Sequence, residues 1–411
     1  MLTTAFITFP QELFWTSVLV VAIVGTLSST IYLGLVVIAA WSHRRKSRSS
    51  PRVEPGVLPP VTLLKPLHGI EPRLFENLET FFQQDYPDFE IIFGARDEEN
   101  GALQVANEAR AKYPGVKTRV VHSGPPTWPN AKVFSLNKMI AQSQNDYLVI
   151  TDSDIRVPRD FLRAVIPPLL ESKTGLVTCL YQGIPTRELS SRLEALGMSV
   201  ELPSGVLVAE MIEGMRFALG AVMAVRRDAL DKIGGIAATA DYYSDDFVLG
   251  NKIWESGFSV RLIEAGVGHV LMPRSWKKTL DDQLRWMKST RYSRPLGHIG
   301  TGLTYAMPFG VLGWIAGWVL LYPVLGISLL LAAILNRIAQ SLIVGWGVVG
   351  DRQALRFCWL YPLRDLLGFV VWIASFTGRR FSWRGEIYSF GTGGHITPQQ
   401  RQAQSPTQEP M

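Results

Sequence analysis

The sequence predicts an α/β domain with a mostly parallel central sheet, held at a membrane by transmembrane helices on both sides of it. Short apolar runs alternate with helix-like stretches between residues 61 and 268, one long apolar block precedes them, and further apolar blocks follow. Of the 411 residues, 47% are hydrophobic and 18% charged, a balance that excludes a disordered chain. The gathering of those apolar residues into long blocks excludes a simple soluble domain. Two cysteines, Cys179 and Cys358, are too few for a disulfide framework or a cysteine-based metal centre. The net charge of +6 is modest and clusters beside apolar blocks, which suits a lipid bilayer better than nucleic acid.

Residues 1–42 read as an N-terminal transmembrane anchor. The block from Leu13 to Trp41 carries no charge and exceeds the roughly 20 residues a bilayer crossing needs. It is too long for a signal-peptide core, and its leading flank, Glu12, is acidic rather than basic. His43-Arg44-Arg45-Lys46 and Arg48 follow at once, so the positive-inside rule places what comes next in the cytoplasm, at the inner membrane if the source is bacterial. Residues 43–60 read as a linker, rich in Ser, Pro and Gly toward its end.

Residues 61–274 form the α/β domain. Buried strands are expected at Val61–Leu64, Glu90–Gly94, Thr118–Val121 and Tyr147–Ile150, with helices over Glu71–Gln84 and Gly101–Lys112. Right-handed crossovers then build a parallel sheet, and ligands bind at the carboxyl ends of its strands. Residues 275–300, rich in Lys, Arg, Asp and Trp, read as an interfacial amphipathic segment. Residues 301–378 read as a C-terminal membrane region. Met307–Gly350 is long enough for two crossings with a break near Tyr322-Pro323, and Arg337 is expected in the bundle interior or snorkelling outward. Arg364-Asp365 interrupts the last stretch, leaving only Leu366–Phe376 apolar, which suits a re-entrant or interfacial segment and gives three spans in all. Residues 379–411 then form a cytoplasmic tail, with disorder expected after Gly394.

Four constellations carry chemistry. Asp152-Ser153-Asp154 follows a strand end, where two carboxylates at i and i+2 suit a divalent cation, Mg²⁺ or Mn²⁺, shared with phosphates; a polar turn or helix cap is the competing reading. Asp97 follows the second strand in the same way, although from this stretch alone a solvated acidic loop is the favoured reading. Asp245-Asp246 lies among aromatic and apolar neighbours, which suits a general base of raised pKa as well as a helix N-terminus. Gln283-Leu284-Arg285-Trp286 joins a diphosphate-pairing arginine to a tryptophan that can stack on a ring or sit at the bilayer interface.

In this order, the constellations resemble the inverting glycosyltransferases of GT-A (nucleotide-diphospho-sugar transferase) fold marked by D, D-x-D, D and Q/R-x-x-R-W, and most closely the ceramide glucosyltransferase branch, which also holds hopanoid-associated enzymes. Leu64–Gly69, Asn130–Val133, Asp152–Val157, Asp245–Gly250 and Trp383–Tyr388 extend the likeness over most of residues 61–390. The resemblance implies a UDP-sugar donor. Asp97 would contact the uridine, Asp154 helped by Asp152 would hold the metal, and Arg285 with Trp286 would meet the diphosphate. Asp246 would be the catalytic base, with His68 and Lys132 further donor-site candidates and Gln283 and Asp245 on the acceptor side. Asp282 stands where the family has Gln or Arg, with Gln283 adjacent. An active site tethered to a bilayer implies a membrane lipid acceptor, ceramide by resemblance, and Leu202–Phe217 could line its entrance or simply pack in the core. N-acetylglucosaminyl transfer to a hopanoid polyol shares nearly every motif. A non-catalytic membrane scaffold is the reading of another class, against which the intact carboxylates and Arg285-Trp286 stand.

Overall fold

A computed structural model describes residues 9–48, 58–383 and 385–399. Its centre is an eight-stranded sheet of β1 (Val61–Pro66), β2 (Phe89–Ala95), β3 (Lys117–His122), β4 (Tyr147–Thr151), β5 (Ile155–Arg156), β6 (Thr174–Ile184), β7 (Val222–Arg226) and β8 (Ser259–Val270). The order is β3-β2-β1-β4-β7-β6-β8-β5. The first four strands are mutually parallel, as is β6 with β8, while β7 runs antiparallel between β4 and β6. The period of two along each strand divides the core. Leu63, Ile91, Phe93 and Val149 enter one cluster, and Leu64, Ile92, Leu148 and Ile150 enter the other.

The four expected strands and the helix Gly101–Lys112 form within a residue or two of where the apolar pattern put them. The helix expected over Glu71–Gln84 is shorter, Leu74–Phe82. The linker does not begin at residue 43. The N-terminal helix runs unbroken from Phe9 to Arg48, and its end packs on the sheet domain through Val36, Ala39 and Ala40. His43, expected in a basic flank, is buried and paired with Glu210 at 3.0 Å and Glu264 at 3.5 Å. Residues 49–57 of the linker lie outside the described residues.

Among the described residues, three helices are long and apolar enough to cross a membrane: Phe9–Lys46, Leu189–Glu213 and Pro323–Trp346. The number agrees with expectation but the set does not. Met307–Val319 is only 13 residues, ending in a turn where Leu321 takes φ 62° before Pro323 starts the next helix. At 1.5 Å per residue it falls short of the hydrocarbon thickness. The helix Leu189–Glu213 lies within what reads as the α/β domain, and Val206 and Leu207 bury in the same core as the sheet. The N-terminal helix meets the C-terminal ones at Leu19, Ala316 and Leu329.

Arg364-Asp365 does not interrupt the last helix, which runs from Tyr361 to Ser375 with both residues buried. Arg337 faces the bundle interior, where its Nη1 donates to Asp365 Oδ1 at 3.0 Å. Nor is residue 379 the start of a free tail. Strands β9 (Arg380–Trp383), β10 (Glu386–Phe390) and β11 (Ile396–Pro398) form a small antiparallel sheet, so the disorder expected after Gly394 does not hold for Ile396–Pro398. This sheet clamps the loop before Asp245: Ile396 N donates to Asp241 O at 2.8 Å and Tyr243 N to Gly394 O at 3.3 Å. Residues 400–411 lie outside the described residues.

Candidate functional site

A cavity of about 1570 Å³ opens at the carboxyl ends of β1 and β4 and continues between the helices Leu189–Glu213, Trp276–Ser293, Pro323–Gln340 and Tyr361–Ser375. It gathers residues far apart in sequence: His68, Lys132, Asp152, Asp154, Asp245, Asp246, Gln283, Arg285 and Trp286 all line it. Asp97 does not. It is exposed in the loop after β2, and its neighbour Arg96 reaches the cavity instead.

Asn130 explains why Lys132 meets the carboxylates. Its side-chain oxygen caps the helix Ala131–Ile140, accepting from Lys132 N at 3.1 Å and Val133 N at 3.2 Å. Its Nδ2 donates to Tyr242 O at 2.9 Å and Asp245 Oδ1 at 3.4 Å, tying that helix end to the acidic loop. Lys132 Nζ then stands 2.7 Å from Asp152 Oδ1 and 3.9 Å from Asp245 Oδ2. Burial works against its charge, but Asp152 and Asp245 outweigh burial and hold the ammonium above its ordinary pKa.

Asp154 Oδ2 pairs with His269 Nε2 at 3.2 Å, while Asp154 Oδ1 is buried without a hydrogen-bond partner. Burial lowers the His269 pKa, but Asp154 overrides it and raises it to about 9. The free Oδ1 and the half-exposed Asp152 fit one hard cation with oxygen ligands to spare for a diphosphate. Among the described residues, no group of three or more His, Cys, Asp or Glu could hold a metal alone. The residues therefore fit a metal shared with substrate, not a closed protein cage.

Asp246 is the second residue of the helix Asp245–Glu255, and its Oδ1 accepts from Phe247 N at 2.8 Å. Burial, then the adjacent Asp245 charge, raises its pKa to about 6 against the opposing pull of Lys132. Gly220 makes room for it, since a Cβ there would stand 3.0 Å from Asp246 Oδ2.

The departure at Asp282 has a structural account. It is 1% exposed and gathers three cations: Arg274 at 2.5 Å, Lys278 at 3.1 Å and Arg285 at 2.8 Å. Arg285 is further fixed by Tyr243 Oη at 2.7 Å and Ser382 O at 3.3 Å. Asp282 thus holds Arg285 on the cavity wall, and Gln283 is held separately by Arg364.

Three groups escape detection in the sequence: Glu71 and His269 line the cavity, and Lys65 lies behind it against Asp152. Lys65, the penultimate residue of β1, is fully buried, its Nζ donating to Thr151 Oγ1 at 3.0 Å and to Asp152 O at 2.5 Å, over the Phe81 ring at 3.8 Å. Burial lowers its pKa to about 7 against the pull of Asp152 and Asp154. Glu71 accepts from Ser153 Oγ at 2.8 Å, and burial together with Asp154 raises its pKa to about 7. His269 is the third. The available signal was a lysine closing an apolar strand, Leu64-Lys65-Pro66; for Glu71 and His269 no local pattern announces the site.

Residues 21–396 match the profile of glycosyl transferase family 21. The chain is 22% identical over 386 residues to ceramide glucosyltransferase 3 of Caenorhabditis elegans, covering 92% of this chain and 83% of that one. It is 34% identical over 130 residues to the ceramide glucosyltransferase of Komagataella phaffii, covering 31% of this chain and 25% of that one. A mannosyltransferase from Pyrobaculum calidifontis, solved with GDP-Man and Mn²⁺, superposes with a TM-score of 0.46 at 17% identity, covering 85% of this chain and 98% of that one. Because the profile spans most of the N-terminal helix, the α/β domain, the C-terminal helices and the small sheet, the chain belongs to glycosyl transferase family 21.

Proposed function

We propose that the protein transfers a sugar, glucose by resemblance, from a UDP-sugar to the hydroxyl of a membrane lipid of ceramide type, with inversion to a β-glycoside. The supporting observation is that one cavity joins the carboxylate cluster at the sheet edge to a wall of helices long and apolar enough for a membrane. In this reading Asp246 takes the proton from the acceptor hydroxyl as its oxygen attacks the anomeric carbon. The bond to the diphosphate breaks in the same step, and UDP leaves with the electron pair. Asp154 and Asp152 would hold Mg²⁺ or Mn²⁺, which neutralises charge on the diphosphate when bound. Arg285 and Lys132 face the same region with fixed positive charge. His68 and Trp286 line the same cavity and would contact the donor. Asp97, given the uridine by resemblance, would need its exposed loop to fold over the nucleotide.

The deciding experiment incubates purified protein with labelled UDP-sugars and ceramide, diacylglycerol, a hopanoid polyol or a water-soluble alcohol in one detergent. Transfer to ceramide from UDP-glucose is expected. Equal use of the soluble alcohol would end the membrane-lipid reading, and reaction of the hopanoid alone, from UDP-N-acetylglucosamine, would replace ceramide.

The two-carboxylate site leads to a second expected result. Activity should fall to background after stripping with EDTA and return with Mg²⁺ or Mn²⁺. Full turnover in excess chelator would remove the metal from the mechanism.

The orientation is testable as well. Basic residues flank the α/β domain at both ends, His43–Arg48 and Lys277–Arg294, which supports a cytoplasmic domain, at the inner membrane if the source is bacterial. In a variant lacking Cys358, a cysteine substituted for Ser50 should resist an impermeant thiol reagent in intact cells. Ready labelling from outside would invert the topology.

A further inference from the structure

Besides carboxylate oxygens of Asp154, Glu194 and Asp245, three amide or hydroxyl atoms of cavity-lining residues have no hydrogen-bond partner among the described residues: Gln283 Nε2, Tyr305 Oη and Gln340 Oε1. Their residues are only 6%, 2% and 1% exposed. Buried donors and acceptors are nearly always satisfied, so three orphans on one wall point to a ligand that satisfies them.

The three belong to one connected stretch. Arg364 donates to Glu201 Oε2 at 2.8 Å and also to Gln283 Oε1. A guanidinium can only donate, so the Gln283 amide must turn its oxygen to Arg364 and leave its Nε2 as a free donor. Gln340 is fixed the opposite way. The Ser204 hydroxyl spends its proton on Val200 O at 2.6 Å, so it accepts from Gln340 Nε2 at 2.8 Å and leaves Gln340 Oε1 as a free acceptor. Tyr305 Oη and Glu201 Oε2 border the same space, 3.4 Å and 3.5 Å from where a Cβ on Gly368 would stand. Gln283 and Arg285, two residues apart on one helix, both line the cavity, which joins the stretch to the proposed reacting end.

We propose that this wall is the headgroup site for the lipid acceptor, and that it selects a lipid carrying both a hydrogen-bond donor and an acceptor beside the reacting hydroxyl. The assignment rests on the lipid-acceptor reading above and adds its specificity. An amide or a neighbouring hydroxyl answers Gln283 Nε2 and Gln340 Oε1 together. An ester answers only the first, and leaves a buried acceptor unpaired.

The test measures thermal unfolding of the detergent-solubilised protein with ceramide, a hopanoid polyol, diacylglycerol or a long-chain monoalcohol. Ceramide or the polyol should stabilise the wild type, and which of them does so identifies the source of the hydrogen-bonding groups. Diacylglycerol and the monoalcohol should not. Tyr305→Phe removes an oxygen that has no internal partner, so the lipid-free midpoint should hold or rise while lipid affinity falls roughly tenfold. Gln340→Leu should weaken the same lipid with UDP affinity unchanged. Equal stabilisation by diacylglycerol, or unchanged ceramide and polyol affinity in both variants, would overturn the assignment. A transfer assay on the same samples separates the two ideas. Selective binding without transfer to any lipid keeps the headgroup site and removes the acceptor reading, whereas transfer without selectivity does the reverse.

Discussion

Asp246→Asn should lower turnover by about 10²–10⁴-fold while UDP binding persists, because the substitution keeps the shape of the side chain and removes only its capacity to take a proton. The carboxylate sits on the cavity wall, held through Oδ1 by Phe247 N and given space by Gly220. An amide oxygen can accept that same backbone bond, so the loop before the helix should keep its form. The pH profile gives an independent check. Burial and Asp245 raise the Asp246 pKa to about 6, and the base works only when deprotonated. Activity should therefore be flat above about pH 6 and fall tenfold per unit below it, a limb that starts about two units above that of an ordinary aspartate. The variant should lack this limb. Activity of Asp246→Asn within a few-fold of wild type, by radiolabelled transfer, would remove Asp246 from the mechanism.

What the sequence discloses about this molecule follows the range over which each force acts. Strands β1 to β4 are legible because each is an apolar run whose period of two and bounding turns are local. The carboxylates of Asp152, Asp154 and Asp246 are legible because they stand directly at strand and helix ends. The ends of the membrane-facing helices are not. Their polar residues look like interruptions until a distant partner is known: Arg364 meets Glu201, 163 positions away, and Arg337 meets Asp365. The C-terminal sheet is hidden for the same reason. Phe381, Phe390 and Ile396 form a core only by folding back on Tyr243 and Tyr292. Asp282 shows the limit of motif comparison, since its value lies in three cations it gathers and not in its place within Q/R-x-x-R-W.

The same long-range pairing sets the largest expected loss of stability. Asp365→Ala should destabilise the protein by about 3–5 kcal/mol, the range for removing one partner of a buried ion pair. Asp365 is 3% exposed and Arg337 2% exposed, so neither can turn to water. Asp365 Oδ1 accepts from Arg337 Nη1 at 3.0 Å. Its Oδ2 accepts from Ala306 N at 2.9 Å and Met307 N at 2.8 Å, which satisfies the first donors of the helix Met307–Val319 and places a negative charge at its positive end. Alanine abandons all three donors at once. Asp365→Asn separates the terms, because its amide oxygen can still cap the helix while Arg337 loses its counter-charge. Asp365→Asn combined with Arg337→Met removes the charge problem altogether and should recover most of the loss. The measurement is the thermal or denaturant midpoint in detergent for the four proteins, with the order wild type, double variant, Asp365→Asn, Asp365→Ala. If the double variant is no more stable than Asp365→Asn, the unpaired arginine is not the cause. The cost would then lie in helix capping or in packing around the Asp365 side chain.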